Sequence, residues 1–521
     1  MTVRLRAVAG LSVALCVLCA GVLAPAGRAS ESTVPAVTVV APGTEHTCAM
    51  TNVGGAYCWG DGQLGDLGNG ATSQSSTPVA VKLPTGAKAT AIASGQDYSC
   101  AATSAGAFCW GWNGYGQLGA GTTTNSSTPV AVKLPSGATA TGVAIGNHDA
   151  CAVTSAGGVY CWGESTDGQL GNGATLPDVN AIPVAVGLPA GVRATAITAG
   201  DGFSCAVTSA GGVYCWGGDT DGALGAPIPL GQSTSLTPLA VGLPSGVRVT
   251  AIASAALGSH TCAVTSAGGV YCWGDNSFGQ LGMAPSYVPD CFGSCTITPV
   301  AVQLPSGATA TAIASGQDYS CAATSAGAFC WGENEYGQLG NGTTTASPTP
   351  VAAHLPSGVS ATAIAANFRH TCAAVNAGGV YCWGENDFGE LGNGTTNNSP
   401  TPVQVSGLPP QETLRVHIGG SHARVTHRGA AITLRCSGGS ATSVCRGHIS
   451  LTIRTHVGHH PKTITLGRAN YDVQSGHGKP VTIQLTHKTQ RLLQHAPGHH
   501  LRATATVTLQ HEHTTHQSLT L

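Results

Sequence analysis

Charge is scarce in this sequence: 8% of its 521 residues are Asp, Glu, Lys or Arg, aromatics make up 5%, and there are 3 methionines. A chain this poor in the side chains that populate solvent-exposed helices is not expected to form long ones. Nothing resembling a phosphate-cradling loop, a nucleophile elbow or a zincin helix stands out, and no carboxylate pair is placed across a cleft. No catalytic residue, cofactor site or metal site is therefore predicted, and the chain is read as a non-enzyme.

What is abundant is glycine, with 74 residues, accompanied by many Ser and Thr and by 20 cysteines. That composition points to short strands joined by tight turns. Residues 1–29 have the layout of a secretory signal: Arg4 and Arg6, an apolar run from Ala7 to Leu23, and small residues for cleavage after Ala26 or Ala29. Removal of that segment takes Cys16 and Cys19 with it and leaves 18 cysteines, an even number suited to an oxidising compartment. A secreted protein without a membrane span is expected, with association to the cell wall as an extension.

Seven Cys-Trp-Gly cores, centred on Trp59, Trp110, Trp162, Trp216, Trp273, Trp331 and Trp383, recur at intervals of 51 to 58 residues. Each repeat divides into four strand-like runs, in the third copy Ala140 to Ile145, Cys151 to Thr154, Val159 to Gly163 and Pro183 to Val186. Alternation along the third run puts Val159 and Cys161 on one face and Tyr160 and Trp162 on the other, so both faces are apolar and both need cover. Stacking around an axis supplies that cover, and the small first run (Ala-Thr-Ala-Ile-Ala) suits the crowded position beside the axis. The fold class is all-β: a seven-bladed β-propeller over residues 30–409, followed by a small β-sandwich over 410–521.

Cysteine spacing supports the hairpins. Nine residues separate Cys48 from Cys58, Cys151 from Cys161, Cys205 from Cys215, Cys262 from Cys272 and Cys372 from Cys382. Only eight separate Cys100 from Cys109 and Cys321 from Cys330, where one loop glycine is missing. If the loop absorbs the deletion, each pair faces across adjacent antiparallel strands at a separation a disulfide accepts. A bridge between Cys291 and Cys295 is expected to pin the longest loop, and one between Cys436 and Cys445 to join early strands of the tail. Ala89 to Gly111 and Ala310 to Gly332 are identical, so blades two and six share their inner half.

The segments His260-Thr261-Cys262-Ala263-Val264, Val270-Tyr271-Cys272-Trp273-Gly274 and Phe278-Gly279-Gln280-Leu281-Gly282 resemble the repeat of the regulator of chromosome condensation family. The resemblance covers residue 37 to about 408 and implies a seven-bladed propeller. The paired cysteines depart from the family's intracellular eukaryotic founders and resemble its secreted bacterial branch, one type of which inhibits β-lactamases through one propeller face. The tail resembles the immunoglobulin-like modules of secreted actinobacterial proteins. Its predicted strands cover Ala431 to Leu434, His448 to Arg454, Thr463 to Leu466, Val481 to Leu485 and Leu501 to Leu509, with a helix-like stretch near Lys488 to His495.

Charge separates the two parts. Residues 30–410 carry 20 acidic and 6 basic side chains, while 411–521 carry 3 acidic and 12 basic, together with 15 of the 20 histidines. Those histidines read as surface positions that gain positive charge below neutral pH, with metal capture at His511, His513 and His516 as the alternative.

Antiparallel connectivity places the first-second and third-fourth loops on one rim, and the hairpins and Leu-Pro turns on the other. The first rim gathers 19 of the ring's 20 acids and nearly all sequence variation, so a binding surface is placed there. Trp112, Tyr287, Phe292, Asp219 and Asp221 are the candidate contacts, whereas Tyr115, Phe278, Tyr336 and Phe388 precede turn glycines and read as structural. The expected partner is an extracellular or cell-surface protein, with an anionic wall polymer as a partner for the tail and no nucleic acid. Two alternatives are carried: a glycan-binding or glycan-acting protein, and guanine-nucleotide exchange as in the family's founders, which export disfavours.

Overall fold

A computed structural model describes residues 36–174, 179–229, 232–286, 293–376 and 379–408, and seven strands between 415 and 520. The segment read as an export signal lies outside these residues. Seven four-stranded antiparallel sheets follow one another, each made of four consecutive strands in meander order. By residue span they are sheet 1 (37–80), sheet 2 (89–131), sheet 3 (140–185), sheet 4 (194–240), sheet 5 (249–301), sheet 6 (310–352) and sheet 7 (361–404). The first strand of each sheet touches the first strand of the next, and that of sheet 1 touches that of sheet 7, which closes a ring. The architecture is a β-propeller.

Tryptophan locks each sheet to its predecessor. All seven Trp of the Cys-Trp-Gly cores are fully buried. Each donates its indole N–H to a backbone carbonyl of the sheet before it, from Trp110 to Asp66 (2.8 Å) round to Trp383 to Gln338 (2.8 Å). Trp59 donates to Glu390 O at 2.7 Å, and Thr47 Oγ1 bonds the His370 ring at 2.8 Å, so the same contacts join the last sheet to the first. Each apolar cluster accordingly spans two neighbouring sheets, as Tyr98, Leu118 and Val132 do with Trp162.

The expected hairpin pairs face one another in the register: Cys48 with Cys58, Cys100 with Cys109, Cys151 with Cys161 and Cys205 with Cys215. So do Cys262 with Cys272, Cys321 with Cys330 and Cys372 with Cys382. All seven pairs are cross-strand disulfides, with Cα separations of 4.0–4.1 Å, and they close the hairpins of the seven sheets. The two shorter hairpins turn on Gly106 (φ 123°) and Gly327 (φ 128°), and the longer ones on glycines such as Gly157 (φ 80°). Loop length thus changes while cysteine register does not. The fourth strand of sheet 3 begins earlier than the apolar run suggested, at Val179 instead of Pro183.

Beyond the ring, strands Arg415–Thr426, Gly429–Ser437 and Gly478–Leu485 form one group and His460–Gln474, Val444–Val457, Arg502–Leu509 and Thr514–Thr520 a second. Ile432, Leu434, Ile449, Tyr471, Val481 and Ile483 are buried within this module. The expected sandwich is corrected in one respect: the pairings run in a closed circuit, a barrel, where two open sheets were anticipated. The cause is strand Arg415–Thr426, whose register shifts between Gly419 and Arg424, so that it pairs with Gly429–Ser437 on either side of the shift and, within it, parallel to Thr514–Thr520 at His422. Two strands at the module's ends, Arg415–Thr426 and Thr514–Thr520, were not anticipated. The stretch read as helix near 488–495 lies outside the described residues, as do the side chains of Cys436 and Cys445, whose backbones sit on Gly429–Ser437 and Val444–Val457.

Candidate functional site: the acidic rim

The glycine after each tryptophan builds the rim. Gly60, Gly111, Gly163, Gly217, Gly274, Gly332 and Gly384 all have φ between 100° and 109°. A Cβ on any of them would lie within 2.6 Å of the backbone of the facing first-second loop. Glycine at this point therefore lets two loops of one sheet touch. The next residue donates its N–H across the gap: Asp61 to Glu45 O (2.8 Å), Trp112 to Asp97 O (2.8 Å), Glu164 to His148 O (3.0 Å), and so on to Glu385 and Arg369 O (3.0 Å). Six of the seven sheets thus present two adjacent rim side chains at a fixed spacing, sheet 4 having Gly202 and Gly218 at these positions.

Most of these paired positions are acidic. Of the 19 acids predicted for this rim, all but Asp178 and Asp290, which lie outside the described residues, stand in or beside its loops. The hairpins and Leu-Pro turns share the opposite rim, where Arg193 bonds Ser155 O and Arg248 bonds Ser209 O. Lys82 and Lys133 follow the fourth strands of sheets 1 and 2 and extend their ammonium groups to Gly70 and Gly121 of the third-fourth loops, while Arg369 stands in the first-second loop of sheet 7.

Burial and mutual repulsion shift several carboxyls toward their neutral form. Asp66 is pushed up to about 9, first by burial and then by Asp97 and Asp61. Burial raises Glu390 to about 8 and Asp318 and Glu385 to about 7, with Glu333 adding to the shift at Asp318. Arg369 opposes the last two shifts from among them.

Two side-chain clusters interrupt the acids. The ring of His148 stacks on Tyr115 (centroids 4.6 Å apart), meets Trp112 edge-on at 5.2 Å, and bonds Glu164 through Nδ1 at 3.0 Å. Arg369 lies over Tyr336 (4.7 Å) and Phe368 (4.4 Å), donates to Tyr336 OH at 3.1 Å, and stands 3.9 Å from Glu385. The two are built alike: a tyrosine from the turn of one sheet, and a cationic or cation-forming side chain and an acid from the next.

Inside the ring, a cavity of about 260 Å³ is lined by Ile92, Val143, Ile197, Ile252, Ile313 and Ile364 from the first strands. Its acidic-rim end is spanned by Asn367, which donates to Ser94 O (3.3 Å) and accepts from Ala256 N (3.3 Å), joining sheets 7, 2 and 5. Ala255 and Ala256 are buried there. The rim's exposed side chains are therefore carried by the loops around the axis.

The predicted residues fare differently. Trp112 sits on the rim as expected, half-buried in the His148 cluster. Asp219 accepts from Leu224 N at 2.9 Å and shapes the turn in which Asp221 adopts φ 56°, so this pair supports its own loop. Tyr287 and Phe292 lie outside the described residues, as does Cys291. Cys295 is disulfide-bonded. Tyr115, Phe278, Tyr336 and Phe388 donate their backbone N–H to the Gln or Glu two residues on, at 2.9 to 3.0 Å. Their backbones have the expected structural role, yet the rings of Tyr115 and Tyr336 carry the clusters and Phe278 is 44% exposed. His148 and Arg369 were missed; the available signal was a basic side chain where neighbouring repeats place Glu45, Asp97 or Asp318.

Residues 141–465 match the family model described as RCC1-like domain, and 54–102 and 105–153 match the regulator of chromosome condensation (RCC1) repeat. The chain belongs to the RCC1-like family. This RCC1-like chain is 29% identical over 386 residues to the ultraviolet-B receptor UVR8 of Arabidopsis thaliana, covering 73% of the chain and 84% of the receptor. It is 30% identical over 380 residues to the human E3 ubiquitin-protein ligase HERC2, covering 72% of the chain and 8% of the ligase. Among solved structures, human WBSCR16 superposes with a TM-score of 0.59 at 20% identity, over 70% of this chain and 96% of that one. Prp20p of Saccharomyces cerevisiae, a structure reported with its binding to Gsp1p and histones, superposes at 0.55 with 21% identity, over 64% and 80%. Identities at that level establish the fold alone.

Proposed function

We propose that this protein is an exported binding module that engages another protein through its acidic rim. The supporting observation is the contrast between rims: one repeats the same hairpins, while the other fixes paired side chains in two aromatic and charged clusters between acids. Rigid loops bearing Trp, Tyr and Arg are the composition of binding hot spots. Disulfides in every hairpin suit an oxidising compartment, in keeping with the leader-like first 29 residues. The basic, histidine-rich tail would hold the ring near an anionic envelope polymer.

The test is quantitative capture of extracellular and cell-surface proteins on the immobilised mature chain, compared with Trp112→Ala and Arg369→Ala. A partner whose recovery falls at least about tenfold with both variants supports this reading, the size expected for hot-spot truncation. If every captured protein is recovered equally by the variants, the rim reading fails. Glycan-array binding lost with Trp112→Ala, in the absence of any such protein, would establish the glycan alternative in its place.

A further inference from the structure

One outer strand of the ring departs from the other six. At the position before the strand proline, sheets 1, 2, 4, 5, 6 and 7 carry Thr77, Thr128, Thr237, Thr298, Thr349 and Thr401, whereas sheet 3 carries Ile182. In those six sheets a Ser or Thr hydroxyl two residues earlier donates to the threonine carbonyl at 2.6 to 2.9 Å. In sheet 3 the earlier residue is Asn180, which makes no such bond among the described residues. Ile182 is 51% exposed, more than any other large hydrophobic side chain described, and Val179 on the same strand is 37% exposed.

A single exposed isoleucine needs no explanation, but this one adjoins the His148 cluster. Gly121 N of sheet 2 donates to Ala181 O at 2.8 Å, and a Cβ on Gly116 would lie 2.6 Å from Ala181, so the turn carrying Tyr115 rests on this strand between Val179 and Ile182. Val179 pairs in register with Glu164, the acid that bonds His148 where its ring meets Tyr115 and Trp112. Two exposed aliphatic side chains and an aromatic cluster therefore share one junction, between sheets 2 and 3. Acids frame it: Asp97, whose carbonyl receives the Trp112 N–H, then Glu164, and the exposed Asp167 and Asp201. Asp167 reaches over the two rim glycines of sheet 4, its Oδ2 3.0 Å from where a Gly202 Cβ would stand. Opposing these four acids are His148 and Lys133, whose Nζ lies against Gly121.

We infer that the junction of sheets 2 and 3 docks a segment of a partner protein that carries a large apolar side chain flanked by lysine or arginine. The apolar group packs on Ile182 beside Tyr115, and the flanking cations meet the acidic frame. This rests on the rim being a protein-binding face, and it names where on that rim the partner sits and with what chemistry. An apolar and aromatic centre ringed by charge is the layout of an interface core and its rim. A second copy of this chain fits less well, because it would bring the same four acids to face these.

The probe is a fluorescein-labelled pentapeptide amide with phenylalanine at its centre and lysine at the other four positions, followed by anisotropy against the mature full chain at low ionic strength. Expected are saturable binding, affinity at least about fivefold above that of the same peptide with serine at its centre, and a similar loss in Ile182→Thr, the size expected of a contact residue. Six sheets already carry threonine at this position, so Ile182→Thr is expected to retain the melting temperature of the parent. Asp167→Asn is expected to weaken binding about threefold, whereas Glu335→Gln, which removes an equal charge on sheet 6, leaves it unchanged, as a screened, distant charge should. No saturable binding, equal affinity for the two peptides, unchanged affinity in Ile182→Thr, equal loss in Asp167→Asn and Glu335→Gln, or a dimer in sedimentation that Ile182→Thr dissolves would each overturn the assignment. If Trp112→Ala and Arg369→Ala still lose a captured protein in that event, the rim reading survives without this junction.

Discussion

At the scale of single residues, the buried histidines and the buried carboxyls of the folded ring act on stability in opposite directions. His46, His260 and His370 are fully buried and pushed down to about 4, 4 and 3 by burial. Their contribution is complete above pH 6.5, the unfolded value, and is lost as pH falls toward 4. Asp66, Glu390, Asp318 and Glu385 are raised to about 9, 8, 7 and 7, so their contribution is complete below about pH 4 and is lost as pH rises through those values. Above pH 6.5 only the carboxyls act. The melting temperature of the mature protein should therefore fall between pH 6.5 and 9, and the double variant Asp66→Asn/Glu390→Gln should flatten that fall. A flat or rising profile in the parent would show that these acids ionise freely in the folded state.

Sequence disclosed part of this chemistry. Trp112 was legible because a tryptophan breaks the acidic pattern after Trp-Gly. The partnership of Tyr115 with His148, and of Tyr336 with Arg369, was not, because each spans two sheets and depends on how far one is rotated past the next. Asp66 was read as one more rim acid; its burial depends on the tryptophan of the following sheet.

At the scale of the element, the hairpin is the unit that spacing revealed. Eight or nine residues between cysteines, compensated by one glycine, determined the pairing of second and third strands. The disulfide restrains a short loop, and the double variant Cys151→Ala/Cys161→Ala should cost about 2–3 kcal/mol in urea denaturation. A loss below about 0.5 kcal/mol would mean that the Trp162 bond to Gln117 O and its apolar cluster already hold the strands in register. Fourth strands were harder to read. In every sheet the pairing of third and fourth strands shifts at the post-tryptophan glycine, which breaks the alternation a sequence reader follows. The closed circuit of the terminal module was illegible for a related reason, since it depends on one strand changing partners at a register shift.

At the scale of the whole molecule, the number of repeats and the greasiness of both sheet faces made a ring legible, whereas the route of its closure was not. Charge divides along the sequence: residues 30–410 are acidic on balance, and 411–521 hold 12 basic side chains and 15 histidines. Histidines near their ordinary value gain charge between about pH 7.5 and 5.5. Binding of the mature protein to purified anionic wall polymer should strengthen over that interval, and deletion of 411–521 should abolish the change. Binding that stays constant from pH 7.5 to 5.5 would remove the tail from the envelope proposal.

Each sheet is cut from one uninterrupted stretch of chain, with no strand borrowed from a distant repeat. Genetic exchange between two copies can therefore replace a strand pair with its ladder partners, provided that the turn carbonyl receiving the next sheet's indole N–H is kept. The identical stretches at 89–111 and 310–332 fit either recent copying or such an exchange. A lineage carrying this fold can revise its acidic rim one loop at a time, while the tryptophan lattice beneath is inherited intact.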